Sequence, residues 1–286
     1  MSTTREMLSR TLQLRNGLSI PQIQLGLYMM SPAETKRAVR SALIAGYRGF
    51  DSAQWYGNEK ETGQAINAFL ADPALNKEGL TRQDIFYTTK LRSNSTSREQ
   101  VRKSIQKSVK ECGLGYVDLF LLHSPYGGKE ARRESWAAVL EAVEAGEVKS
   151  AGVSNYGVGH LGEFEEGKRP VVNQIEVHPF NTQGEIREKC KEMGVLVEAY
   201  APLVRGVRFS DKTVKGLAGR YGVSSAQVLV RWSIQHGFVT LPKSAKEERL
   251  ISNADVGGFE LSKEDMEGLD ALDEKLVTDW NPTDAP

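Results

Sequence analysis

Polar residues stand where short apolar runs end. Asp51 follows YRGF, Lys90 closes DIFYTTK, His123 closes VDLFLLH, Ser154 and Asn155 close VKSAGVSN, Gln174 follows PVVN, Tyr200 closes VLVEAY and Lys243 follows FVTLP. A lone buried lysine or aspartate is costly, so Asp51 and Lys90 facing one rim read as an ion pair. An imidazole, amides and hydroxyls on the same rim would add hydrogen-bonding and proton-handling capacity. Each position alone has a plainer explanation. Lys90 could snorkel to solvent, His123 could be a packed core histidine, Tyr56 an aromatic packing residue, and Ser154-Asn155 a helix cap. Convergence on one mouth is what favours chemistry over packing.

That convergence requires a particular arrangement of elements. Counting IQLGL near residues 23–27, eight short β-rich runs alternate with helical patterns such as NEKETGQAINAFLA and ARRESWAAVLEAVEAG. Strands alternating with helices predict right-handed βαβ units and a parallel sheet. Eight units in about 250 residues match a closed (β/α)8 barrel, the TIM-barrel architecture, whose strand C-termini share the rim where active sites sit. Ahead of them, TLQLRNGLSIPQ carries Asn16-Gly17 between alternating runs, which predicts a type I′ hairpin closing the barrel bottom. LSKEDMEGLDALDEK reads as a last helix capped by Ser262, and VTDWNPTDAP as a short C-terminal tail lying over the mouth. No linker or repeat divides the chain, so residues 1–286 are expected to form a single barrel domain.

Composition excludes several classes. With 37 basic and 37 acidic residues among 286, the formal net charge is zero, so nucleic acid and anionic membranes are not expected partners. Two cysteines and four histidines leave no material for a disulfide framework or a multi-histidine metal centre, and no metal is expected. MSTTREMLSR lacks the apolar core of a signal peptide, and no apolar run is membrane-length; a cytoplasmic protein is expected. Gly157-Val158-Gly159-His160-Leu161-Gly162 fits G-x-G-x-x-G, but Ser154-Asn155-Tyr156 separates it from the apolar run, so the tight first turn of a dinucleotide fingerprint is misplaced. These glycines are expected instead to shape the loop that opens the fifth helix.

Longer motifs carry a resemblance. Gly49-Phe50-Asp51-Ser52-Ala53-Gln54-Trp55-Tyr56-Gly57-Asn58-Glu59 resembles the signature of the aldo-keto reductases. Leu122-His123-Ser124-Pro125, Gly152-Val153-Ser154-Asn155, Asn173-Gln174-Ile175-Glu176-Val177-His178-Pro179 and Leu241-Pro242-Lys243-Ser244 agree in order and spacing. The resemblance covers essentially the whole chain. It implies a catalytic tetrad on Asp51, Tyr56, Lys90 and His123. Carbonyl reduction needs a hydride on carbon and a proton on the developing alkoxide, and Tyr56 is the implied donor. A free phenol titrates near pH 10, so Lys90, held by Asp51, is expected to lower the Tyr56 pKa, and a neutral His123 to orient the carbonyl oxygen.

The resemblance further implies NADPH. Ser154, Asn155 and Gln174 would hold the nicotinamide carboxamide, Tyr200 would stack on the ring, and Pro202 and Leu203 belong to the loop spanning the pyrophosphate. Lys243, Ser244 and Arg249 would hold the adenosine 2′-phosphate and Asn253 the adenine, although Ser252 departs from the common acidic residue before it. The substrate, a small-molecule carbonyl, would meet Tyr28, Trp55, Tyr126 and Trp280. Gly26-Leu27-Tyr28 stands where relatives often have Gly-Thr-Trp, and Ser124 where many have tryptophan, which together imply a broad site for aldehydes, ketones or ketoesters. Sugar aldoses and uronic acids are the alternative substrates, with Arg205 and Arg208 as loop arginines that form no clear carboxylate clamp. A regulatory subunit that binds NADPH with little turnover is the alternative function, disfavoured by the complete tetrad. A monomer is expected.

Overall fold

A computed structural model of the chain describes residues 3–286. Eight parallel strands form one sheet: β3 (Leu25–Gly26), β4 (Gly49–Asp51), β5 (Phe86–Leu91), β6 (Val117–Leu122), β7 (Val148–Ser154), β8 (Val172–Glu176), β9 (Leu196–Tyr200) and β10 (Val239–Thr240). They are ordered in sequence from β10 back to β3. The sheet curls shut on itself. Ile23 bridges Thr240 in parallel, Gln24 N donates to Thr240 O at 3.0 Å, and Thr240 N to Gln22 O at 2.8 Å. This is the (β/α)8 barrel that the alternation predicts.

Helices Pro32–Ala45, Glu59–Ala71, Arg98–Cys112, Gly128–Glu144 and Gly184–Met193 return the chain between strands, and Lys212–Tyr221 and Ser225–Gln235 lie between β9 and β10. Their starts are set by side-chain caps: Ser31 with Glu34 and Ser224 with Gln227 form reciprocal capping boxes. Between β7 and β8 the expected fifth helix is a single turn, Val158–Leu161. Gly157 caps that turn and also serves a second purpose, because a Cβ at this position would lie 2.1 Å from Thr283 O of the C-terminal tail. The glycine lets the tail cross. The last helix, Lys263–Asp270, starts as predicted with Ser262 Oγ accepting from Asp265 N at 3.1 Å, but stops before Leu272. A first helix, Thr3–Ser9, has no counterpart in the sequence expectations.

The N-terminal hairpin is present as β1 (Thr11–Gln13) and β2 (Ser19–Pro21), paired antiparallel. Its turn differs from the expected type I′. Gly17 takes φ +86° but Asn16 does not share the positive-φ region, and Leu14 N bonds Leu18 O at 2.8 Å. That is a three-residue loop with glycine at its left-handed end. Asn16 is freed to dock, its Nδ2 donating to Ser150 Oγ at 3.0 Å.

Two cores follow from strand periodicity, since successive side chains alternate between the sheet's faces. Outward residues such as Phe50, Tyr87, Phe120, Leu122 and Val153 pack under the helices in the larger cluster. Inward residues Phe86, Leu119, Leu121, Val172, Val239 and Leu241 fill the barrel, and Leu14 and Ile20 of the hairpin seal it from below. Continuing two residues at a time along each inward face carries Phe86 to Lys90, Leu119 to His123, Val172 to Gln174 and Val239 to Lys243. The apolar floor thus becomes a polar rim.

The crossing at Gly157 yields a test. Gly157→Ala should destabilise the chain by about 1–3 kcal/mol in urea unfolding, whereas Gly159→Ala, with open space at its Cβ, should stay within about 0.5 kcal/mol of wild type. Equal midpoints for the two variants would show that the tail does not need the glycine.

Candidate active site

Lys90 is fully buried, and its ammonium is surrounded by acceptors. Nζ donates to Asp51 Oδ1 at 2.6 Å, to Ser52 O at 2.8 Å and to Tyr56 Oη at 3.3 Å, which accounts for all three of its hydrogens. The expected Asp51–Lys90 pair therefore exists, and Tyr56 completes it. Asp51 Oδ2 accepts from Gln174 Nε2 at 2.8 Å, so the carboxylate is satisfied on both oxygens. Tyr56 is placed by the short 3-10 turn Gln54–Tyr56 that follows β4, with Gly57 in left-handed conformation ending it.

The Tyr56 phenol departs from the sequence expectation. Its pKa is pushed well above the ordinary value, first by burial and then by the negative charge of Asp51. Lys90 favours the phenolate, but burial and the charge of Asp51, in contact with the same ammonium, outweigh it. Tyr56 is accordingly a protonated phenol. His123 behaves as expected: burial, with the nearby Lys90 charge, holds its pKa well below the usual imidazole value. The ring is neutral, with a buried Nδ1 that has no partner.

Above these residues opens a cleft of about 880 Å³. Asp51, Tyr56, His123, Ser154, Asn155, Gln174, Tyr200, Pro202, Leu203, Lys243, Arg249 and Asn253 all line it, as do Tyr28, Trp55 and Trp280. At one end the amides are pre-set: Asn155 Nδ2 donates to His123 O at 3.1 Å, and Tyr200 Oη to Asn155 Oδ1 at 2.9 Å. Asn155 holds φ +62°, a conformation that asparagine tolerates. At the other end Lys243 and Arg249 make no ion pair among the described residues. Three expected residues, Lys90, Ser244 and Tyr126, are not in the cleft lining. Ser244 is buried in its own turn, its hydroxyl accepting from Lys246 N at 3.0 Å, and the exposed Tyr126 stands 5.8 Å from Trp280 between ring centroids. Ser252 does line the cleft.

The C-terminal tail builds one wall. Thr278 N donates to buried Glu176 Oε1 at 3.0 Å, and His178 Nε2 shares that oxygen at 3.1 Å. Farther on, Arg132 Nη1 donates to Pro286 O at 2.9 Å, and His160 Nε2 lies 2.7 Å from Ala285 O. These anchors hold Trp280 5.7 Å from Trp55 and 5.9 Å from His123, making an aromatic mouth. The roles of His160 and His178 are thus structural, while His236 joins Asp270 at 2.9 Å on the outer surface. Arg205 is ion-paired with Asp279 at 2.8 Å rather than solvated, and its guanidinium stands 5.4 Å from the Tyr28 ring centroid. Arg208 pairs with Glu274. Cys112 and Cys190 are buried thiols with pKa pushed up to about 11 by burial.

Sequence reasoning missed Asp279 and Glu198. Only the tail's path brings Asp279 to Arg205. Glu198, fully buried beneath Tyr200, accepts from Gln174 Nε2 at 2.9 Å and from Gln24 Nε2 at 3.2 Å. The one signal for it was an acidic residue inside VLVEAY.

A barrel with a lysine–aspartate–tyrosine cluster at its C-terminal rim and a long cleft above defines a class of proton-handling enzyme. The model of the aldo/keto reductase family matches residues 22–274, and the chain belongs to that family. An uncharacterized oxidoreductase of Schizosaccharomyces pombe is 44% identical, covering 98% of this chain and all of that protein. Glyoxal reductase of Bacillus subtilis is 37% identical over 96% of this chain and 97% of its own. The crystal structure of a Bombyx mori aldo-keto reductase in complex with NADP superposes with a TM-score of 0.85 at 33% identity, covering 94% of each chain.

His123 predicts a pH dependence of stability. Its folded pKa is depressed, so below about pH 6.5 the unfolded chain binds a proton that the folded chain refuses, and stability rises with pH through that window. Urea midpoints at about pH 5 and about pH 7 should therefore differ less for His123→Gln than for wild type. An undiminished difference would mean that this imidazole is not held neutral.

Proposed function

We propose that this protein reduces aldehydes and ketones to alcohols with NADPH, using Tyr56 as the general acid. The observation that carries the reading is the Lys90 ammonium, which touches both Asp51 and the Tyr56 hydroxyl. The cleft suits an extended dinucleotide, having amides and an aromatic face at its deep end and two unpaired cations at the other. Ser154, Asn155 and Gln174 would hold the carboxamide; Gln174 spends its amide hydrogens on Asp51 and Glu198, which leaves its carbonyl oxygen for the cofactor. Tyr200 would stack on the ring, Pro202 and Leu203 would follow the pyrophosphate, and Lys243 with Arg249 would pair the 2′-phosphate, favouring NADPH over NADH. Asn253 would meet the adenine.

Bound NADPH supplies the hydride. The substrate oxygen would accept hydrogen bonds from Tyr56 and neutral His123. As the carbonyl carbon becomes tetrahedral, its oxygen takes the Tyr56 proton, and the phenolate left behind is stabilised by Lys90. Asp51 keeps Lys90 charged and aimed. Both loop arginines are committed to carboxylates of the chain itself, which favours uncharged carbonyl compounds over uronic acids. Tyr28, Trp55 and Trp280 offer such substrates area with few polar demands. Small activated aldehydes, including the dicarbonyl class in the name of the Bacillus subtilis relative, are fitting first substrates. We place the enzyme in a reducing cytoplasm as a monomer, one barrel domain, with residues 1 and 2 of the expected span 1–286 lying outside the described residues.

Tyr56→Phe should lower turnover by about 10²–10⁴-fold while retaining NADPH binding, followed by quenching of tryptophan fluorescence. Near wild-type rates would sink the assignment. Combined Lys243→Ala and Arg249→Ala should reduce the NADPH-over-NADH ratio of kcat/KM by about tenfold or more, and an unchanged ratio would place the phosphate elsewhere.

A further inference from the structure

Glu198 is an acid in the barrel interior that this mechanism does not use. Its side chain is completely buried on the inward face of β9, one step below Tyr200. Its hydrogen-bond partners are two neutral amides, Gln174 Nε2 at 2.9 Å and Gln24 Nε2 at 3.2 Å. The nearest cation is already spent, because Lys90 directs its three hydrogens to Asp51, Ser52 and Tyr56. A second carboxylate, Asp51, lies across a single amide group: Gln174 Nε2 gives one hydrogen to Asp51 Oδ2 and the other to Glu198 Oε2. Two ionised acids and one ammonium would leave a net negative charge in a dry interior, which is costly when no further cation is present.

We propose that Glu198 is a positioning residue that stands protonated inside the barrel, aiming Gln174 at the cofactor cleft and leaving the Lys90 charge to Asp51 and Tyr56 alone. The carboxyl proton has a place to go. Gln24 Oε1 is buried without a donor, and the two ends of an amide exchange by rotation. With the oxygen turned toward Glu198, the 3.2 Å contact carries the acid's own hydrogen. Burial and the Asp51 charge both push the Glu198 pKa upward, and the Gln174 hydrogen bond and Lys90 only partly oppose them. The titratable groups facing it are Asp51 from β4, Lys90 from β5, Tyr56 above and Tyr200 two residues along its own strand; β10, paired alongside at Val239, brings none.

The consequence is an alkaline limit on reduction. Ionised Glu198 adds a negative charge that opposes the phenolate left when Tyr56 gives up its proton. This inference rests on the reading of Tyr56 as donor, so the test separates the two. Glu198→Gln keeps a hydrogen-bonding group of similar shape that cannot ionise. Infrared difference spectra across pH on both proteins report protonated carboxyl groups, with NADPH binding and aldehyde reduction followed in parallel.

A protonated-carboxyl band near neutral pH that Glu198→Gln lacks is expected. The ratio of variant to wild-type kcat should rise roughly three- to tenfold between about pH 7 and about pH 9.5. A missing band, or a ratio flat across pH as a purely structural role would give, overturns the proposal. If neither protein turns over although both bind NADPH, it is the reductase reading that fails, and the infrared band alone decides the state of Glu198. Should Glu198→Gln not fold, wild type with isotope-labelled glutamate carries the same infrared test. Glu59→Gln alongside removes the other buried glutamate whose pKa burial raises.

Discussion

Burial of the Lys90 ammonium is the constraint around which the barrel interior is arranged. A charge removed from water must recover its hydration from fixed partners, and here three oxygens do so within 2.6 to 3.3 Å. Each acceptor comes from the β4 segment or the turn after it, so the spacing of Asp51, Ser52 and Tyr56 is dictated by one nitrogen. Asp51 in turn requires Gln174, Gln174 bridges to Glu198, and Glu198 reaches Gln24. The polar line crosses the barrel from β5 to the strand that closes it. Gly49 makes room at that far end, where a Cβ would lie 2.4 Å from Gln24 Cγ.

This line divides the barrel into a dry floor and a reactive rim. Leu119, Leu121, Val172 and Val239, sealed by Leu14 and Ile20, exclude water from beneath. The low-dielectric floor is what raises the Tyr56 phenol and keeps His123 neutral, because burial is the first cause of both shifts. The buried phenol is thereby kept protonated and the buried imidazole uncharged, the states that the proposed reduction requires. The same floor makes a second unpaired carboxylate untenable, which ties the state of Glu198 to the chemistry above it.

The mouth is governed by contacts distant in sequence. Glu176, next to the amide-bearing stretch of β8, holds Thr278, and Arg132 and His160 hold the final residues. Between these anchors the chain has no choice but to pass Trp280 over His123. Asp279 then neutralises Arg205 beside Tyr28. The shape and the charge of the opening are set by the same short tail.

The amino-acid sequence by itself determined the alternation of strands and helices and the rank of polar residues at strand ends. Both are local: strand periodicity places every second side chain inward, and the parallel barrel sends all the strand ends to one rim. Asp51, Lys90, His123 and Gln174 were legible for that reason, and the family motifs added Tyr56. Tertiary structure alone decided what depends on summed fields and long-range packing. The direction of the Tyr56 pKa reversed because burial, with the Asp51 charge added, outweighs the ammonium that was expected to lower it. Glu198 was hidden because its strand reads as an ordinary apolar run until the barrel closes and brings two carboxylates to one amide. Ser244 stands outside the cleft lining with its hydroxyl accepting from Lys246 N, and Gly157 proved to be a crossing point for a tail more than a hundred residues downstream in sequence.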